Sequence, residues 1–329
     1  MPRTVRAQHD SFILTHPFRI ARGVKTEADV VTVTISEGDA IGFGEGVPYA
    51  RYGESIESAL AQIEEVRPEL EAGADREMLL SMLPAGAARN AIDCALWDLE
   101  ALSSGRDVAA ILGAPAPEPL ASALTIVIDT TEAMAAAASA WAGAPLLKVK
   151  VDATDPAAQI RAVRAAAPDA ALIVDPNESW DRHLVEAMQP VLIQARVALL
   201  EQPVPAGADQ WLEGFTPAVP ICADESIHVS DDLDLVARRY QAVNVKLDKS
   251  GGLTAALELA AAARARGLGL MTGCMVCSSL SVAPALHVAR LSDFVDLDGP
   301  IWLREDRPGG VRNHSGILIP PAAGFWGMP

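Results

Sequence analysis

Aromatic residues are scarce, 5% of 329, and there are only four cysteines. So few cysteines cannot staple a chain of this length, which excludes a disulfide framework and suits a reducing compartment. Positive charge is also short: 26 lysines and arginines stand against 43 aspartates and glutamates, a net charge of −17. Such a surface repels phosphate backbones and anionic lipids, so neither nucleic acid nor a membrane surface is an expected partner. No run approaches the roughly 20 apolar residues of a membrane helix. The opening MPRTVRAQHDSFILTHPF lacks the apolar stretch and small-residue cleavage site of an export signal, so the expected location is cytoplasmic. What is plentiful is core material. Half the residues are apolar, enough for one large domain and one smaller one.

Residues 1–115 read as an α+β capping domain. Residues 3–14 and 28–36 are β-rich, and the turn at 37–39 leads into AIGFGEG as a hairpin. Residues 54–71 keep Ile56, Leu60, Ile63 and Val66 on one helical face, with an end near Pro68. Residues 86–102 form a strong helix, and the Pro-rich LGAPAPEPL at 112–120 is the linker. Residues 116–302 then alternate short apolar strands (ALTIVID, LLKVKVD, ALIVD, VALLE, PICAD, AVNVKL, GLGLMTG, FVDLD) with helical segments. Eight such units predict a (β/α)8 barrel, its eighth helix weak or absent. Residues 303–329, with PGGVRNHSGILIP, are expected to return to the capping domain.

In such barrels the chemistry sits at the C-terminal strand ends. Lys150, Asp175, Glu201, Asp224 and Lys246 follow one another at 25, 26, 23 and 22 residues, the pitch of one strand–helix unit, so they should converge on one mouth. Asp175, Glu201 and Asp224 each end an apolar run on consecutive strands, where an unpaired charge is costly. Three hard oxygen donors suit a divalent cation, Mg2+ first. Lys148 and Lys150 share one strand face. Two ammonium groups side by side near a dication favour loss of a proton from one, leaving a general base. Lys246 lies across the barrel, so one lysine can take a proton from one face of a carbon while another returns one to the opposite face.

LLKVKVD, VDPNESW, LLEQPVP, CADES, NVKLDKSGGL and FVDLDG, in this order and spacing, resemble the enolase superfamily and, within it, the muconate-lactonizing subgroup. PFRIARGVKTEA, PYARYGES and PAGAARNAIDCALWDLEA extend the likeness over most of the chain. The DLD pair, with GCM before it, resembles the dipeptide epimerases that act on Ala-Glu. The resemblance implies a Mg2+ cofactor held by Asp175, Glu201 and Asp224, and an acid/base pair Lys150 and Lys246 supported by Lys148. It places Thr125 and Cys274 against a dipeptide substrate and Asp296 and Asp298 at its ammonium group. The implied reaction is 1,1-proton transfer at the α-carbon of the C-terminal residue through an enediolate, within murein-peptide metabolism. One departure is Pro176, where a small residue is commoner.

Arg22 can cap a substrate side-chain carboxylate through a bidentate pair, with Arg51 and Tyr52 as weaker candidates for substrate contact. Cys274 and Cys277 form a CxxC without the further ligands a zinc site needs. His287 falls inside a helix as a packed or surface residue, and Gly251–Gly252 read as a tight turn. Rival functions are a cycloisomerase, an o-succinylbenzoate synthase or an N-acylamino-acid racemase using the same groups. A metallohydrolase would want histidine ligands, and no HxH stands at any strand end. A non-catalytic binder is disfavoured because every acid/base and ligand position is filled. Nothing in the pattern argues against a homo-oligomer.

Overall fold

β-Branched residues crowd into residues 28–36, and the computed structural model, which describes residues 2–327, builds them into the middle of a three-stranded antiparallel sheet. Its strands are β1 (Thr4–Ile20), β2 (Gly23–Glu37) and β3 (Ala40–Gly46). Both β1 and β2 run further than their apolar patterns predict. Their far halves form a two-stranded ribbon whose side chains are largely exposed, so no alternation marks them. Val31, Val33 and Ile35 face helices α1 (Ile56–Glu71), α2 (Arg76–Met82) and α3 (Ala87–Ser104), and a short α4 (Val108–Leu112) follows. Ser55 and Ser58 cap α1 reciprocally. The helix passes through Pro68 and ends at Glu71, because buried Leu70 anchors its last turn on the apolar face. Helix α2, started by the Asp75 cap, is too short to show a period in sequence.

After the two-residue strand β4 (Leu120–Ala121) come the barrel strands β5 (Leu124–Ile126), β6 (Leu146–Lys150), β7 (Ala171–Asp175), β8 (Val197–Glu201), β9 (Ile221–Ala223), β10 (Ala242–Val245), β11 (Gly269–Gly273) and β12 (Phe294–Asp296). They pair in parallel in that order, and the gap between first and last is spanned by Ala123 N donating to Val295 O at 2.8 Å and Leu297 N to Ser122 Oγ at 2.9 Å. Helices α5 (Thr131–Ala140), α6 (Pro156–Ala166), α7 (Arg182–Gln194), α8 (Leu233–Val236), α9 (Leu247–Ser250), α10 (Leu253–Ala265) and α11 (Ser279–Ala289) lie between them. This is an enolase-type barrel with an antiparallel cap. Only a 3-10 turn links β8 to β9, and none of the described residues after β12 forms an α-helix. There β13 (Arg312–His314) pairs with β14 (Ile317–Ile319), and β14 pairs with β4. Farther on, Trp326 Nε1 donates to Phe43 O and Cys94 O in the cap.

Period two along each strand places the site. Leu146, Ile173, Leu199, Cys222, Ala242 and Met271 form one apolar layer inside the barrel. Two residues on along each strand, toward its C-terminal end, stand Lys148, Asp175, Glu201, Asp224, Asn244 and Gly273. The barrel interior therefore changes from hydrocarbon to charge within one layer.

Candidate active site

Every charge in that layer is buried and paired. Lys148 Nζ lies 2.7 Å from Asp296 Oδ2, 2.7 Å from Glu201 Oε2 and 3.2 Å from Asp175 Oδ2. Lys150 Nζ is 2.5 Å from Asp175 Oδ2, and Lys246 Nζ is 2.8 Å from Asp224 Oδ2. Lys249, from α9, donates to Asp224 Oδ1 at 2.6 Å and to Asn244 O at 2.9 Å. Asn244 Nδ2 in turn donates to Glu201 Oε1 at 2.8 Å. Gln202 Oε1 accepts from the N–H groups of Asp224 and Ser226 at 2.8 and 3.1 Å, which fixes the turn after β9. Asn177, Glu178 and Gln202 hold positive φ angles of 47°, 67° and 29°, so non-glycine residues in the left-handed region cluster beside the carboxylates.

The electrostatics follow from these pairs. Burial raises the Asp175 carboxyl, but Lys150 and Lys148 outweigh it and hold the group at about 2. Asp224 is likewise desolvated, yet Lys246 and Lys249 keep it well below the usual carboxylate range. Glu201 goes the other way, pushed up to about 7 by burial and by Asp175. Burial disfavours the charge of Lys148, but Asp296, Glu201 and Asp175 more than compensate and raise it well above the ordinary ammonium value.

Among the described residues, no three carboxylate, imidazole or thiol groups enclose a common point as placed. Lys148 stands between Asp175 and Glu201. The donor set nevertheless fits a hard cation. It is all carboxylate oxygen, and Glu201 Oε2 is buried without a hydrogen bond despite its nearness to Lys148.

Asp296 and Asp298 both have partners within the protein. Lys148 reaches over β5 to the Oδ2 of Asp296, whose Oδ1 is buried and unbonded. Asp298 Oδ2 accepts the Thr125 N–H at 2.8 Å and Trp302 Nε1 at 3.3 Å. Burial and the neighbouring Asp296 push the Asp298 carboxyl up to about 6. Arg22, at the tip of the β1–β2 ribbon, is already engaged: it meets Glu225 at 2.6 Å, Glu178 at 3.0 Å and the Tyr49 hydroxyl at 3.2 Å. Arg51 forks onto Glu178 with two contacts of 2.8 Å.

A cavity of about 290 Å³ opens above the layer. Lys148, Lys150, Lys246, Asp224, Asp296, Asp298, Thr125, Cys274, Arg22 and Tyr52 reach its wall, with Phe18, Ile20, Val24 and Met275 as apolar surface. Asp175 and Glu201 lie outside that wall, 1% and 0% exposed. Sequence reasoning missed Glu178, Gln202 and Asn244. Each is a polar residue inside one of the quoted motifs, which was the available signal. His287 is buried against Trp326, away from this cavity.

Two family descriptions match the chain: "Mandelate racemase / muconate lactonizing enzyme, N-terminal domain" over residues 3–113 and "Enolase C-terminal domain-like" over residues 131–324. The L-Ala-D/L-Glu epimerase of Escherichia coli (strain K12) is 50% identical over 318 residues, covering 96% of this chain and 99% of its own. The N-acetyl-D-glutamate racemase of a Pseudoalteromonas species is 44% identical over 300 residues, 91% of this chain and 95% of its own. A solved enolase-family protein of Agrobacterium tumefaciens, described as homologous to dipeptide epimerases and holding sodium and L-Ala-L-Glu, aligns with a TM-score of 0.96 at 46% identity, over 99% of this chain and 100% of its own. The dipeptide epimerase of Methylococcus capsulatus, solved with Mg and L-Arg-D-Lys, gives a TM-score of 0.89 at 32% identity, over 98% of each chain.

Proposed function

The chain belongs to the mandelate racemase/muconate lactonizing enzyme family of the enolase superfamily, whose relatives here are isomerases, and from that premise we propose that it is a Mg2+-dependent dipeptide epimerase acting on the C-terminal residue of Ala-Glu. The observation that carries this reading is the placement of Lys150 and Lys246. They stand at the ends of the second and sixth strands of an eight-strand barrel and face one cavity from opposite sides.

Asp175, Glu201 and Asp224 would hold the magnesium ion, which when bound supplies Lewis-acid stabilisation of negative charge on the substrate carboxylate. Lys150 and Lys246 do the proton work. One, as the neutral amine, takes the α-proton; the other, as the ammonium, delivers a proton to the opposite face and inverts the centre. Lys148 remains charged among Asp296, Glu201 and Asp175 and adds positive potential where the carboxylate develops charge. The unbonded Asp296 Oδ1 and the Asp298 carboxyl offer acceptors for a substrate ammonium, with Thr125 and Cys274 on the adjoining wall. Arg22 is held over the mouth by Glu225 and Glu178, at the place where a side-chain carboxylate would exchange for one of them.

A racemase of N-acetylated glutamate is the second reading, favoured by the 44% identical relative. That substrate has no ammonium to satisfy Asp296 and Asp298. The test is ¹H NMR in D2O of L-Ala-L-Glu and N-acetyl-L-glutamate incubated with the protein and magnesium chloride, following loss of each α-proton signal. The dipeptide is expected to epimerise faster, to stop under EDTA and to resume on adding magnesium. A preference for the N-acetylated substrate, or turnover undiminished by EDTA, rejects the reading.

A further inference from the structure

Cys274 and Cys277 take no part in the proton transfer, yet they sit at the wall of its cavity. They lie in the segment between β11 and α11, which has no regular secondary structure. Cys274 is partly exposed and lines the cavity beside Met275, Val276, Asp298 and Gly299. Cys277 is fully buried in the core cluster against which Cys274 packs. The two thiols stand three positions apart in this one segment, and the neighbouring Cys274, ahead of burial, holds the Cys277 thiol well above its ordinary range. The same segment supports the substrate wall. A Cβ on Gly299 would stand 2.9 Å from Cys277 Sγ and 2.7 Å from Met275 O, so the turn carrying Asp298 rests on that sulfur and on this backbone. The other two cysteines are different. Cys94 and Cys222 are fully buried, and their thiols donate to Asn90 Oδ1 and Ala223 O.

We infer that Cys274 and Cys277 are a peroxide-sensitive pair whose reversible disulfide closes the cavity. Cys274, the accessible thiol, is the attacking group. Its thiolate attacks one oxygen of hydrogen peroxide; the S–O bond forms, the O–O bond breaks and hydroxide leaves, giving a sulfenic acid. Cys277 then attacks that sulfur. The S–S bond forms, the S–O bond breaks, and the departing hydroxide takes the Cys277 proton as water. The cysteine pair loses two electrons and peroxide gains them. Joining the sulfurs draws the 274–277 backbone against Gly299 and shifts Asp298. Misplacement of a substrate contact by about 1 Å costs roughly a hundredfold in rate.

Native protein is treated with hydrogen peroxide, alkylated and mapped by peptide mass. The expected product is a Cys274–Cys277 crosslink, with Cys94 and Cys222 still reduced. Ala-Glu turnover should fall at least tenfold and return with dithiothreitol. After peroxide, Cys277→Ala should carry a dimedone-reactive sulfenic acid at Cys274 and lose a smaller share of its own untreated turnover than wild type loses; Cys277→Ser serves as a second variant if the alanine leaves the core loose. The crosslink is read by mass, so it is tested even if Ala-Glu is not the substrate. Absence of the crosslink in native protein, a crosslink without loss of turnover, or dithiothreitol-reversible inactivation of Cys277→Ala equal to that of wild type overturns the inference.

Discussion

Asp248 is fully buried two residues beyond Lys246, and it joins the barrel to the cap by accepting Val47 N at 2.8 Å and Asn90 Nδ2 at 2.7 Å. Burial pushes its carboxyl from the ordinary 3.8 up to about 7. Between those values the folded chain keeps a proton that the unfolded chain has lost, so stability falls as the pH rises through this interval. Asn at this position can still accept both bonds and does not titrate. The melting temperature of Asp248→Asn relative to wild type should therefore rise between about pH 4 and pH 8, reflecting a few kcal/mol at most. A difference that stays constant with pH would show that Asp248 is ionised throughout. At this scale the sequence exposed the strand-end charges, because each broke an apolar run at a repeating interval. It hid Gln202 and Asn244, whose roles depend on which groups neighbouring strands bring alongside them. It also hid the Lys148–Asp296 contact, which crosses β5.

At the scale of elements, α3 lies directly on β3. Gly42, Gly44 and Gly46 alternate along β3 on the face under α3, where a Cβ would run into the backbone oxygens of Ala95, Ala91 and Ala87. The turn at 37–39 and the strand that follows it were legible in sequence, whereas the role of the strand's glycines, which let a helix lie directly on it, was not. α3 also carries Asn90 and Asp93, which bond to Asp248 and Thr254, so its seating bears on the turn that follows Lys246. Gly44→Ala should destabilise the fold by about 1–3 kcal/mol through overpacking, measured by urea denaturation. A loss below about half a kcal/mol would mean that α3 can lift off β3 freely. The two long helices of the cap were legible from their apolar periods. The ribbon half of β1 and β2 was not, because it has water on both sides and needs no alternation.

Over the whole molecule, the barrel was legible because a strand–helix unit repeats, and the repeat alone places its second and sixth strands opposite one another. The ribbon tip over the mouth was not. Arg22 meets Glu178 and Glu225 across more than 150 residues, and a contact between cap and barrel leaves no local signature. The central claim is that Lys150 and Lys246 serve opposite faces of one carbon. The most direct measurement is ¹H NMR in D2O of Lys150→Ala and Lys246→Ala, each with L-Ala-L-Glu and with L-Ala-D-Glu. The account predicts that neither variant interconverts the epimers. Each should exchange the α-proton of at most one epimer, and the two variants should favour opposite ones. Full epimerisation by either variant would contradict it.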